Sequence, residues 1–251
     1  MKPKFIALLG LFLTAPAHAA ITAGTSIYID FGPNAVNGGV VTTSPATNGI
    51  YWNNAGTNVL AGGGGTPTAP ADLVSSTNVA TGVNLTFSNN WQANSVGGLA
   101  DPTSALLGDF AVGTVTTDYI FHNKADSGAN ATITINNLDT SLTYNFKIFA
   151  TRDNTQTRIT QYTIGSTSTT LQTSGTGIGN GGTNGNNNQF ATFSSISPSG
   201  TGKIILSLTG SVTDFAYIAG LQLTAVPEPG AALLGGLGGL LLLSRRRRAA
   251  L

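Results

Sequence analysis

The stretch Leu142-Thr-Tyr-Asn-Phe-Lys-Ile-Phe-Ala150 carries Leu142, Tyr144, Phe146, Ile148 and Ala150 at alternate positions, with Thr143, Asn145 and Lys147 between them. Successive side chains on a strand point to opposite faces, so this spacing predicts a half-buried strand. Ala131-Thr-Ile-Thr-Ile135 alternates likewise, and Asn136-Asn137-Leu138-Asp139 supplies a turn leading into Leu142. Phe215, Tyr217, Ala219, Leu221 and Leu223 alternate along a last strand. Further strands are expected at Ser26–Phe31, Val83–Phe87, Tyr119–His122, Thr157–Ile164, Phe190–Ile196 and Lys203–Leu208. No window between Ala20 and Ala225 holds a long helical stripe with a matching cap. Many short strands separated by Gly, Asn, Ser and Thr predict an all-β body, an antiparallel β-sandwich. Tyr144, Phe146, Ile148, Phe215 and Leu221 are expected between its two sheets. Ala61–Pro70 and Ser174–Asn188 are loops by composition.

The pattern changes at both ends. Lys2 and Lys4 precede an apolar run from Phe5 to Leu13, and Ala17-His18-Ala19 places small residues before Ala20. That order is a secretory signal, forming a signal helix over residues 1–19, with cleavage between Ala19 and Ala20. At the other end, Val226-Pro227-Glu228-Pro229 and Gly230 precede thirteen residues, Ala231–Leu243, without a polar side chain. Ser244 and Arg245, Arg246, Arg247 and Arg248 follow. As a helix the apolar segment reaches about 20 Å, short of a bilayer core of roughly 30 Å. Four glycines weaken it, and the arginine block favours the cytoplasmic side. These features describe a marginal membrane anchor that suits a tail meant to be removed. The organisation is therefore signal 1–19, body 20–225 and tail 226–251.

Composition narrows the chemistry. Charged residues make up 8% of the 251 positions, against about 25% in an ordinary soluble domain. Six of the eleven basic residues lie in the two ends, which leaves five against nine aspartates between Ala20 and Ala225. A body near −4 with no basic stripe excludes a nucleic-acid partner. There is no cysteine, so disulfides and thiolate metal sites are excluded. His122 is the only histidine of the body, and the body has no glutamate. This inventory argues against an enzyme, and neither cofactor nor metal is expected. Two aspartates could serve as a carboxylate pair only if the fold brought them together. Asp109 and Asp118 read as turn residues. Gly177-Ile-Gly-Asn-Gly-Gly182 matches a dinucleotide fingerprint in letters alone, since it opens no helix.

The C-terminal order of Pro-Glu-Pro, short apolar segment and arginine cluster resembles the PEP-CTERM sorting signal of exported bacterial proteins. The resemblance covers Val226–Arg248. It implies that Pro227, Glu228 and Pro229 are the recognition element for exosortase, a membrane protease. It also implies a Gram-negative host that makes exopolysaccharide. The protein would be anchored transiently in the inner membrane and end at the cell surface or in the extracellular matrix. Within the body, Ala131–Asp139, Tyr144–Arg152, Tyr162–Gly165, Phe190–Phe193 and Gly202–Ile204 are similar to the second half of galactose-binding-like jelly rolls. That similarity implies a jelly-roll arrangement and points toward carbohydrate.

Two functions of different class follow. One is a structural or adhesive component of the cell surface or matrix. The other is a carbohydrate-binding module for exopolysaccharide. Tyr51-Trp52-Asn53-Asn54 and Asn89-Asn90-Trp91-Gln92 each set an aromatic beside amides. Ring faces stack on sugar C–H faces and amides bond hydroxyls, so Trp52, Trp91, Asn53, Asn54 and Gln92 are the candidate ligand residues. The competing expectation is that both tryptophans pack the core. Burial of both favours the structural role. Arg152 and Arg158, bracketing Asp153-Asn154, form either a local ion pair or the polar rim of a ligand site. The protein partners expected are signal peptidase and exosortase.

Overall fold

The computed structural model describes residues 21–88, 90–127 and 130–228. Both sides of the signal cleavage position (Ala19 and Ala20), Asn89, Pro229 and the arginines Arg245–Arg248 lie outside these residues, as do the expected signal and tail helices. The body is built mostly of β-strands in three sheets. In chain order the strands are β1 (Ser26–Phe31), β2 (Trp52–Ala55), β3 (Gly64–Gly65), β4 (Asn84–Phe87), β5 (Trp91–Asn94), β6 (Tyr119–Asn123) and β7 (Ala131–Asn136). They continue as β8 (Leu142–Phe149), β9 (Arg158–Ile164), β10 (Thr167–Ser174), β11 (Ala191–Ile196), β12 (Ile204–Gly210), β13 (Phe215–Ile218) and β14 (Gly220–Pro227). Among the described residues helix is confined to single turns, α1 (Ser104–Leu107), α2 (Gly113–Thr117) and α3 (Lys124–Ser127), and two 3-10 turns. None of the described helices is long and apolar enough to cross a membrane.

The first sheet runs β11-β8-β14-β1-β2, the second β10-β9-β12-β7-β4, and the third, smaller sheet β13-β6-β5-β3. The alternation read from the sequence sets which faces are dry. On β7, Ala131, Ile133 and Ile135 are buried while Thr132 and Thr134 are half-exposed. On β8, Tyr144, Phe146 and Ile148 are buried. Thr143, expected outside, is buried as well, and toward the Phe149 end of β8 the first sheet is covered on its outer face. Residues 104–117 form that cover. Phe110 from this segment packs against Tyr28, Trp52, Phe149 and Phe190 at ring separations of 6.2, 5.5, 6.4 and 5.1 Å.

Two expectations about the strands are corrected. The sheets are not wholly antiparallel: β1 and β2 run parallel, with Tyr28 beside Trp52 and Phe31 beside Ala55. A parallel neighbour needs a crossover connection, and the segment 32–51 provides it. The stretch Phe215–Leu223 is not one strand. The chain changes sheets at Ala219: β13 pairs with β6 in the small sheet, and β14 pairs with β8 and β1 in the first. Ala219 bridges the change, donating to Phe149 O and accepting from Phe31 N. Gly220 follows because a Cβ there would meet Phe110 and Val115 at 3.0 Å. As a consequence Leu221 is buried as expected, whereas Phe215 is only half-buried.

Candidate functional site

The tryptophans are core residues. Trp52 is 2% exposed and Trp91 is fully buried. Trp52 packs edge-on against Tyr28 at 5.1 Å, and Trp91 against Phe87 at 6.1 Å and His122 at 6.3 Å. Their ring faces are covered, so neither can stack on a sugar, and the ligand role expected for them is withdrawn. The amides beside Trp52 have a structural task. Asn53, buried, donates through Nδ2 to Tyr28 O and Val74 O and accepts from Val74 N. Asn54 accepts from Thr42 N at 2.8 Å and donates to Thr42 O at 2.9 Å. Each side-chain amide stands in for a strand partner at the edge of the first sheet, which satisfies backbone groups that would otherwise be orphaned.

Gln92 has a different setting, and it leads to a surface that sequence reasoning did not assemble. On β5 the side chains of Gln92 and Asn94 alternate with buried Trp91 and Ala93. Register places Gln92 beside Phe121, Asn94 beside Tyr119, Tyr217 beside Phe121 and Phe215 beside Asn123. The outer face of the small sheet therefore collects four aromatic rings and three amides. Phe121 stacks on Tyr217 at 5.6 Å, Phe215 lies 6.1 Å from Phe121, and Tyr119 lies 5.3 Å from Tyr217. Phe121 and Phe215 remain half-exposed, whereas Tyr119 and Tyr217 are buried. Gln92 Nε2 and Asn123 Nδ2 both donate to Asp126 Oδ2 at 2.8 Å.

Two arginines roof this face. The Arg158 guanidinium lies 4.4 Å from the Phe215 ring centre and donates to Tyr217 Oη and to Gln156 Oε1. Arg152 donates to Tyr119 Oη and sits 6.0 Å above that ring, with its Nε buried and unpartnered. Neither guanidinium forms an ion pair with a described residue, so the local pair with Asp153 is not made. Beside Arg152 opens a depression of about 560 Å³ lined by Gly98, Asp101, Thr151, Asp153, Asn184 and Asn187 among others. Burial raises both tyrosine hydroxyls above the usual phenol range against the nearby arginine charges, so both stay neutral acceptors at physiological pH.

A second cluster also emerged only in the fold. Asp118 is no turn residue: it is fully buried, and its neighbour in charge is Asp30 on β1 rather than Asp109. Asp109 instead accepts from Tyr28 Oη at 2.6 Å. Burial, with the Asp30 charge adding to it, pushes Asp118 up to about 8. Burial pushes Asp30 up to about 7 against the opposing bonds from Thr42. Among the described residues no group of three or more His, Cys, Asp or Glu gathers as a metal centre.

No family model, curated protein or solved structure matches this chain.

Proposed function

We propose that the protein is an exported, non-catalytic component of the bacterial cell surface or extracellular matrix, structural or adhesive, delivered through a PEP-CTERM-like tail. The observation that carries this reading is where the body ends. β14 runs to Pro227, paired with Leu142 in the middle of the first sheet, and Glu228 is exposed immediately beyond it. The last buried side chain among the described residues is Ala225, ahead of the Pro-Glu-Pro element, so removal of the tail takes away no described core residue. In this reading signal peptidase cuts between Ala19 and Ala20, and exosortase reads Pro227, Glu228 and Pro229. Arg245–Arg248 hold the segment at the cytoplasmic side of the inner membrane. The two five-stranded sheets are the layers of a jelly-roll-like sandwich. Replacing Arg245–Arg248 by Ser should weaken retention at the membrane, because the positive-inside bias is lost. Cell fractionation with a mass measurement of the surface form tests it. A surface form still carrying Leu240–Leu251 contradicts tail removal.

The outer face of the small sheet favours an adhesive role over an inert one. Half-exposed Phe121 and Phe215 offer ring surface, Gln92, Asn94 and Asn123 offer amides, and Arg152 and Arg158 offer cations with no carboxylate partner among the described residues. Guanidinium pairs with planar carboxylates in two-point contacts, so this face suits an acidic polysaccharide better than a neutral one. Affinity electrophoresis of the purified full chain should show retardation in alginate that fades with salt, and none in dextran. Arg158→Gln and Phe121→Ala should each weaken it about 3–10-fold. That factor corresponds to the loss of one stacking or charged contact, each worth about 1 kcal/mol. Equal mobility in alginate, dextran and plain gel leaves the structural role alone standing.

A further inference from the structure

Asp30 and Asp118 pose a charge problem that their protein partners do not solve. Asp30 is 2% exposed and Asp118 is fully buried. One oxygen of each is held by an amide of the crossover segment: Thr42 N donates to Asp30 Oδ2 at 3.2 Å, and Val40 N donates to Asp118 Oδ2 at 3.0 Å. The other oxygen of each, Asp30 Oδ1 and Asp118 Oδ1, is buried with no hydrogen-bond partner. Among the described residues no lysine or arginine bonds either group. Two unpaired carboxylates cannot both stay ionised in such a place, so they must be protonated or share a cation.

We propose that Asp30 and Asp118 are the charged ligands of a divalent-cation site, and that the ion is calcium. The two orphaned oxygens belong to separate segments, one on β1 and one at the entry to β6, and each carboxylate is gripped by the same short stretch, 40–42. Gly32 and Gly39 bring the backbone against Asp118, so its carboxylate cannot swing toward them. The remaining polar groups around the pair offer oxygen. Thr42 Oγ1 lies 2.7 Å from Thr114 Oγ1, and Asn54 Oδ1 shares the Thr42 amide with Asp30. An all-oxygen set without histidine or cysteine suits a hard cation. Calcium accepts an irregular mixture of carboxylate, amide and hydroxyl oxygens at about 2.3–2.6 Å, whereas magnesium demands a regular octahedron and retains its water. Two positive charges offset two negative ones. The ion would tie the crossover segment to β1 and β6, and so hold β2 in its parallel place.

Thermal unfolding of the purified full chain, stripped with EDTA and then returned to calcium or magnesium chloride, tests this. Calcium at about 100 times its Kd should raise Tm by roughly 5–10 °C, and magnesium by less. Asp30→Asn and Asp118→Asn keep the side-chain shape and should each abolish the calcium response, while Asp214→Asn, at an exposed turn, should keep it. Equilibrium dialysis of the wild type with radioactive calcium provides a reading that does not depend on the variants' folding, with one ion per chain expected. No bound ion, or a Tm rise that survives both asparagine substitutions, overturns the site and leaves the pair holding a proton. An equal response to magnesium overturns the choice of calcium.

Discussion

Trp91→Ala is expected to lower the free energy of unfolding by about 3–5 kcal/mol, as large-to-small changes of a buried indole do. Trp91 is fully buried on β5 and touches Phe87 and His122. Deleting it leaves a cavity beneath the small sheet that the paired backbones of β5 and β6 cannot close. The indole Nε1 has no hydrogen-bond partner, so none of this loss comes from a broken hydrogen bond. It is packing alone, and Trp91→Phe, which keeps an aromatic ring and discards the orphaned N–H, should cost far less. Gln92→Ala, one residue on and half-exposed, should move stability by no more than about 0.5 kcal/mol. Urea unfolding followed by far-ultraviolet circular dichroism checks all three. A Trp91→Ala variant as stable as Gln92→Ala would return the indole to the surface role that its neighbours in the sequence suggest.

The aromatic–amide pattern misled for a reason visible at Asn53 and Asn54. A side chain that can bond a sugar hydroxyl can equally bond a peptide group, and at a sheet edge the peptide group is the nearer claimant. Periodicity was informative wherever one face of a strand is dry: β1 matches its expected bounds, and β7, β8 and β12 lie within a residue or two of theirs. It was silent at β10, where Thr167–Ser174 offers Leu171 as its only large apolar side chain. That strand is held by backbone pairing with β9 from Thr167 opposite Ile164 onward, which needs no hydrophobic signal. Alternation also ran unbroken through Ala219, because period two does not say which sheet a strand joins: Phe215 and Tyr217 lie on the outer face of the small sheet, while Leu221 and Leu223 are buried in the first sheet. The outer face of the small sheet was legible only in fragments. Tyr119 and Phe121 alternate, as do Phe215 and Tyr217, yet they are almost a hundred residues apart and meet only through the β6–β13 pairing.

Gly32→Ala is the second substitution expected to be severe, at about 2–5 kcal/mol. The sequence gives Gly32 no distinction among 33 glycines. In the fold it is buried directly after β1, and a Cβ there would fall 2.6 Å from Asp118 Oδ2 and closer still to Oδ1. Neither side can yield cheaply. Gly32 N is bonded to Ala55 O across the parallel pair, and the Asp118 carboxylate is fixed by Val40 N. If the carboxylate moves, Val40 N loses its partner, which costs about 1–3 kcal/mol for a group left unsatisfied. If the backbone moves, β1 shifts against β2 at a strain cost of similar size. Gly200→Ala is the matched control. Nothing lies within 4 Å of a Cβ at Gly200, and its backbone is not left-handed, so the change should stay within about 0.5 kcal/mol. Thermal unfolding of the two variants under identical conditions decides the matter. Equal stability would mean that Asp118 does not pack against Gly32, and the close approach of β1 to the buried carboxylate would then be wrong.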